Sequence, residues 1–277
     1  MSVNGLPPNA HISFRENVTQ PELRQAAERS IATLITSFEK KVEQTLVTDT
    51  SKAKVQTSVN AQDDRSSLQS IDLNIPDTAH IRTLAIVPPF DFTWSWFLPD
   101  GSPPTFQNLN NETGEVGLIS RSGAVSGVGG MGAPGFIAAH AGFGIMLSTD
   151  REVTATGYAA RRFVPKWHLS SIESTDSVMV EAGTELTVLK DGQLVNSASG
   201  KLFSESVHGN GGGRYESSGY VDVTNPPSIS FAMSPGHQYT FNVGIWVVSN
   251  KSGSQNAFAE SWLSGAVLSM SVVRPLL

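Results

Sequence analysis

From Ile75 to the C-terminus, apolar residues recur at every second position in short runs, and glycine, proline, asparagine or aspartate interrupts the pattern roughly every eight to twelve residues. A period of two sends successive side chains to opposite faces of a strand. Each run can therefore bury one face only by pairing its backbone with neighbours. No helical run alternates with these segments, which disfavours a parallel doubly wound sheet. The pattern predicts a mainly β chain: an antiparallel β-sandwich or jelly-roll-like domain.

The clearest alternation is 90–97, where Phe90, Phe92, Trp94 and Trp96 fall on one face and Asp91, Thr93 and Ser95 on the other. Further strands are expected at 80–87, 115–120, 143–149, 152–158, 167–172, 178–180, 185–189 and 193–197, then at 201–207, 215–223, 229–233, 237–248 and 257–273. Asp191-Gly192 marks a tight hairpin between 185–189 and 193–197. The glycine-rich turn from His208 to Gly213 suggests a second hairpin joining 201–207 to 215–223, and the loop 249–255 a third joining 237–248 to 257–273. Tyr239 to Val248 is apolar on both faces, so this strand should be central and covered on both sides, one cover being the N-terminal helix.

That helix is the other strong local signal. Thr19-Gln20-Pro21-Glu22 reads as a capping box with proline in the first turn. Leu23, Ala27, Ile31, Leu34, Ile35, Phe38, Val42 and Leu46 then recur every three or four residues. The spacing is too wide for a heptad coiled coil. A stripe this long must be buried, either on the chain's own sheet or against identical helices, in which case Ile31, Leu34, Phe38 and Val42 are the assembly residues. The implied organisation is an arm (1–18), a long amphipathic helix (19–47), a polar linker (48–74) and the β-sandwich (75–277).

Composition limits function. Of 277 residues only 16% are charged, against about 25% in a typical domain. The formal net charge of -6 provides no basic footprint for nucleic acid. The absence of cysteine removes disulfides, thiol catalysis and cysteine-ligated zinc. No basic, apolar leader opens the chain, so residence in the cytoplasm as synthesised is the expectation, with release by lysis or a dedicated machine left open.

Motifs add little chemistry. Gly127-Val128-Gly129-Gly130-Met131-Gly132 spells G-x-G-x-x-G, but it follows no strand directly, and Pro134-Gly135 would interrupt the helix that should hold a pyrophosphate. No cofactor is inferred. The six histidines show no metal-ligand spacing, and Ser126 is one place late for a nucleophile elbow. No catalytic or metal residue is assigned. From Ser122 to Thr149 no charged residue occurs; the plain reading is a glycine loop leading into a buried strand. The sharper one is a membrane-active hairpin, conditional on a conformational change, carried by Phe136, Ile137, Phe143 and Ile145.

The expected function is accordingly a non-enzymatic interaction or structural protein, its partner another protein or a second copy of itself. A glycan is the alternative ligand, with Trp167, the tryptophan expected to be exposed, and His168, His208, Asn210 and Arg214 as the candidate binding residues. Nucleic acid is excluded as a partner.

Overall fold

The computed structural model describes residues 6–52, 80–98, 106–122, 135–171, 177–208, 213–218, 228–252 and 257–276. In chain order these form β1 (Ala10–Phe14), α1 (Pro21–Lys52), β2 (His80–Ile86), β3 (Phe92–Leu98), β4 (Phe106–Asn110), β5 (Glu115–Ser122) and β6 (Phe136–Leu147). There follow β7 (Val153–Ser171), β8 (Ser177–Lys190), β9 (Gln193–His208), β10 (Gly213–Ser218), β11 (Ser228–Met233), β12 (Tyr239–Ser252) and β13 (Phe258–Leu276).

All strand pairs are antiparallel and make two sheets, one ordered β1-β3-β6-β12-β8-β9 and the other β10-β7-β13-β5-β4, with β11 also on β7 and β2 also on β13. From β5 onward the pairing is nested: β5 with β13, β6 with β12, β7 with β11, and β8 with β9. This wrapping of a doubled chain into two facing sheets is the jelly-roll strand order. The antiparallel sandwich expected from the sequence is thus present.

Alternation decides what lies between the sheets. Tyr239, Phe241, Val243, Ile245 and Val247 of β12 point inward with Leu118 of β5 and Phe163 of β7. Hydroxyls tie the sheets together across this core: Ser249 Oγ meets Ser120 Oγ at 2.6 Å, and Ser261 Oγ donates to the carbonyl of Glu181 at 3.0 Å.

The opposite face of the six-stranded sheet carries a second core. Helix α1 lays Ala27, Ile31, Leu34, Ile35 and Phe38 on Phe92, Trp94 and Trp96 of β3 and Leu189 of β8. Thr33 Oγ1 fastens the helix to the carbonyl of Gly192 at 2.7 Å. The central strand β12 is therefore covered on both sides, as its two-faced apolarity requires. Glycine makes room for the flat aromatics. Gly144 lies opposite Phe92 in the β3–β6 register, and a Cβ there would sit 2.1 Å from the Phe92 ring.

Several local expectations are corrected. The first helical hydrogen bond runs from Arg24 N to the carbonyl of Gln20, so Gln20 caps the helix, one place later than the Thr19 box implied. The helix also extends past 47 to Lys52, and the remaining linker positions lie outside the described residues. Phe90 precedes β3 and turns into the inter-sheet core against Phe143, so it does not share the face of Phe92, Trp94 and Trp96. The segments 152–158 and 167–172 belong to one strand, β7. Its Pro165 faces Leu263 of β13 on one side and falls between β10 and β11 on the other, where among the described residues no ladder bond is required of it. Of the three hairpins expected from turn signals, the β8–β9 hairpin is present, with Asp191 and Gly192 at φ 51° and 83°. Strands β9 and β10, like β12 and β13, fall in different sheets, because a turn signal marks a reversal but not the sheet that receives the next strand. The strands Ala10–Phe14 and Phe106–Asn110 were not anticipated.

Candidate functional site

The candidate assembly residues Ile31, Leu34 and Phe38 are buried on the chain's own sheet, with at most 4% exposure. They are not a free face for a partner. Val42 belongs to the same helix, but its side chain is not among those described. From Ala27 to Phe38 the stripe is covered by β1, β3 and β8 of this sheet.

Beneath Phe38 lies a histidine–carboxylate pair that no sequence spacing revealed. His140 Nδ1 of β6 and Glu185 Oε1 of β8 are 3.1 Å apart across β12. The intervening residue is Gly244, where a Cβ would approach Glu185 Oε1 to 3.0 Å and the Trp94 ring to 2.9 Å. Phe38 stacks on the imidazole with ring centroids 4.1 Å apart. Such a pair has the parts of an acid–base couple, but at 8% and 5% exposure under a helix it meets no substrate. Its work is to satisfy two polar groups in an aromatic layer.

Asp191 and Asp91 are engaged within the fold as well. His237 and Gln238 N both bond to the Asp191 carboxylate. Burial works against ionisation of that carboxylate, yet the Gln238 and His237 bonds hold it below the usual range. The Asp91 carboxyl is pushed up by burial, although Met146 N and Arg15 pull the other way. Among the described residues no group of three or more potential metal ligands occurs.

Pairing of β7 with β10 and β13 assembles part of the candidate ligand site. His168 lies opposite Glu260 of β13 and Glu216 of β10, and Arg214 lies opposite Ser170, two places along. On the same outer face Arg121 pairs with Glu260, His168 meets Phe258 edge-on at 5.2 Å, and Lys166 sits 4.7 Å over the Trp262 ring. Trp167 points the other way and packs on Phe203, with ring centroids 4.7 Å apart. Strand alternation puts Trp262, itself half-buried, on the outer face in its place. His208 ends β9 in the opposite sheet. Asn210 and the glycines 127–132 lie outside the described residues, and the first part of the loop proposed at 249–255 is the end of β12, with Ser249 buried.

Of the uncharged stretch 122–149, residues 136–147 form β6, flanked by β3 and β12. Ile137, Phe143 and Ile145 are buried and Phe136 is half-buried. No helix among the described residues is long and apolar enough to cross a membrane.

One corner of the seven-stranded sheet is left incomplete. Strand β2 pairs with β13 along 80–86, and its far edge is unpaired among the described residues. Leu84 lies opposite the buried Val272, on the core side, yet is 49% exposed. Val87 just beyond β2 and Leu268 at the β13 bulge are 63% and 54% exposed. No family model matches this chain, and no curated protein is similar to it in sequence.

Proposed function

We propose that this protein is a non-enzymatic structural module that associates with a second copy of itself along β2. The observation that carries the reading is Leu84: a core-facing leucine, half open to water, on a strand whose far edge is unpaired among the described residues, with Val87 and Leu268 also exposed. An edge strand offers a row of free N–H and C=O groups that an antiparallel neighbour can satisfy, and β2 meeting β2 about a two-fold axis is the simplest such neighbour. Exposed apolar side chains at that edge would be buried by the same contact. The two histidine–carboxylate pairs, His140–Glu185 and His237–Asp191, are spent on each other.

Absolute mass by light scattering tests it. The full chain should run as a dimer whose mass falls on dilution, and a Leu84→Lys, Leu268→Lys double variant should be monomeric with unchanged melting behaviour. A chain that stays monomeric at every concentration removes the proposal.

A further inference from the structure

Three segments remote in sequence meet in one groove: residues 13–17 at the end of β1 and just beyond it, the proline turn before β3, and the β4–β5 turn. Its volume is about 460 Å³, within the size range of small-ligand sites.

The framework of this groove is fixed before any ligand arrives. Asn111 is held by two bonds to Phe90, accepting from its N–H at 3.0 Å and donating to its carbonyl at 2.9 Å. Arg15 N donates to the Asp91 carbonyl at 2.9 Å, and Val18 N closes the turn on the Arg15 carbonyl at 3.0 Å. Phe14 is braced by Phe92, 5.8 Å between ring centroids, and by the Arg24 guanidinium at 5.3 Å. By contrast the side chains of Ser13, Glu16, Asn17 and Glu112 are exposed and make no hydrogen bond or ion pair among the described residues.

A rigid cup lined by unengaged polar groups selects its ligand by chemistry. One arginine against two glutamates leaves the rim slightly negative, so phosphate and other anions are disfavoured. Two carboxylates are too few for a calcium-type oxygen cage. Carboxylate, amide and hydroxyl groups side by side suit adjacent hydroxyls that each donate and accept, and an aromatic ring offers a surface for their C–H face. We infer that the groove binds a neutral saccharide: Glu16 and Glu112 accept from sugar hydroxyls, Asn17 supplies both a donor and an acceptor, and Phe14 packs against the ring. The lining of this groove includes none of Leu84, Val87 and Leu268, and the inference does not depend on self-association.

The full chain is screened on an array of neutral and acidic glycans, and hits are followed by titration calorimetry. A neutral glycan should bind, and Glu16→Ala with Glu112→Ala should weaken it at least about tenfold, or ~1.4 kcal/mol. Both residues are exposed, so an unchanged melting temperature would separate lost binding from lost folding. Phe14→Leu, which keeps the apolar contact with Phe92 but removes the flat ring, should weaken binding as well. A silent array, binding restricted to acidic glycans, or neutral-glycan affinity unchanged in the double variant would each overturn the inference.

Discussion

Ser30 Oγ of α1 lies 3.1 Å from Thr240 Oγ1 of β12, and neither side chain is more than 1% exposed. Ser30 Oγ is also 2.8 Å from the carbonyl of Ala26 and donates its single proton there, so Thr240 is the donor to Ser30. This contact anchors the helix at the centre of the six-stranded sheet, beside the buried Asn242–Thr187 pair of the same face.

Ser30→Ala therefore leaves a buried Thr240 hydroxyl without its acceptor. The expected cost is about 1–3 kcal/mol, read as a lower urea midpoint with an unchanged slope. Replacing both Ser30 and Thr240 by alanine should recover part of that loss. A single variant as stable as the parent would show that the helix does not depend on this contact.

The glycines of the six-stranded sheet divide into two kinds. At Gly244 a Cβ would crowd Trp94 and Glu185, whereas at Gly200 the nearest atom is Thr184 Oγ1 at 3.9 Å. Gly244→Ala should destabilise by about 1–3 kcal/mol through overpacking, while Gly200→Ala should be neutral or slightly stabilising. Similar melting temperatures for the two variants would refute the close-packed floor beneath Trp94.

Arg161 is 8% exposed on the inward face of β7, and its Nε and Nη1 have no hydrogen-bond partner. Desolvation pulls its pKa down to about 10, well below the ordinary guanidinium range. Because the folded value lies below the unfolded one, the charged group opposes folding at every pH below about 10, and the opposition fades as pH rises above that. Arg161→Met should raise stability at pH 7 by about 1–3 kcal/mol, and the difference from the parent should narrow above pH 10. Loss of stability at pH 7 would mean that the guanidinium is compensated.

Asp191 acts through its carboxylate, which His237 and Gln238 N hold below the ordinary range despite the opposing effect of burial. A lowered folded-state value gives stability that is complete above the unfolded carboxylate range and lost as pH falls through the folded value. Asp191→Asn keeps a residue that tolerates φ 51° but should remove this acid-side dependence, visible as a flatter stability profile below about pH 4. An unchanged acid limb would assign the dependence to other carboxylates.

Much of the architecture was legible because it rests on local periodicity. The 3.6-residue stripe of α1, the two-residue alternation of β3 and β12, and Asp191-Gly192 at the hairpin each reflect contacts between near neighbours in the chain. Sheet membership was not legible: the turns after His208 and Ser252 look like hairpin turns and instead carry the chain from one sheet to the other. The candidate sites depended on the same unknown, since placing Trp167 or Trp262 on the outer face needs the face each strand turns inward.

The sequence by itself determined the chain's class: uncharged alternating runs must pair into sheets, and one amphipathic helix must find an apolar cover. Only the tertiary structure decided that the cover is the chain's own Trp94 and Trp96, that His140 and Glu185 meet across Gly244, and that Phe14, Asn17 and Glu112 face one groove. His140 and Glu185 are 45 residues apart and Asn17 and Glu112 farther still. Periodicity records which face of an element is apolar. Which elements share a neighbour depends on long-range pairing, and no short stretch of sequence encodes that.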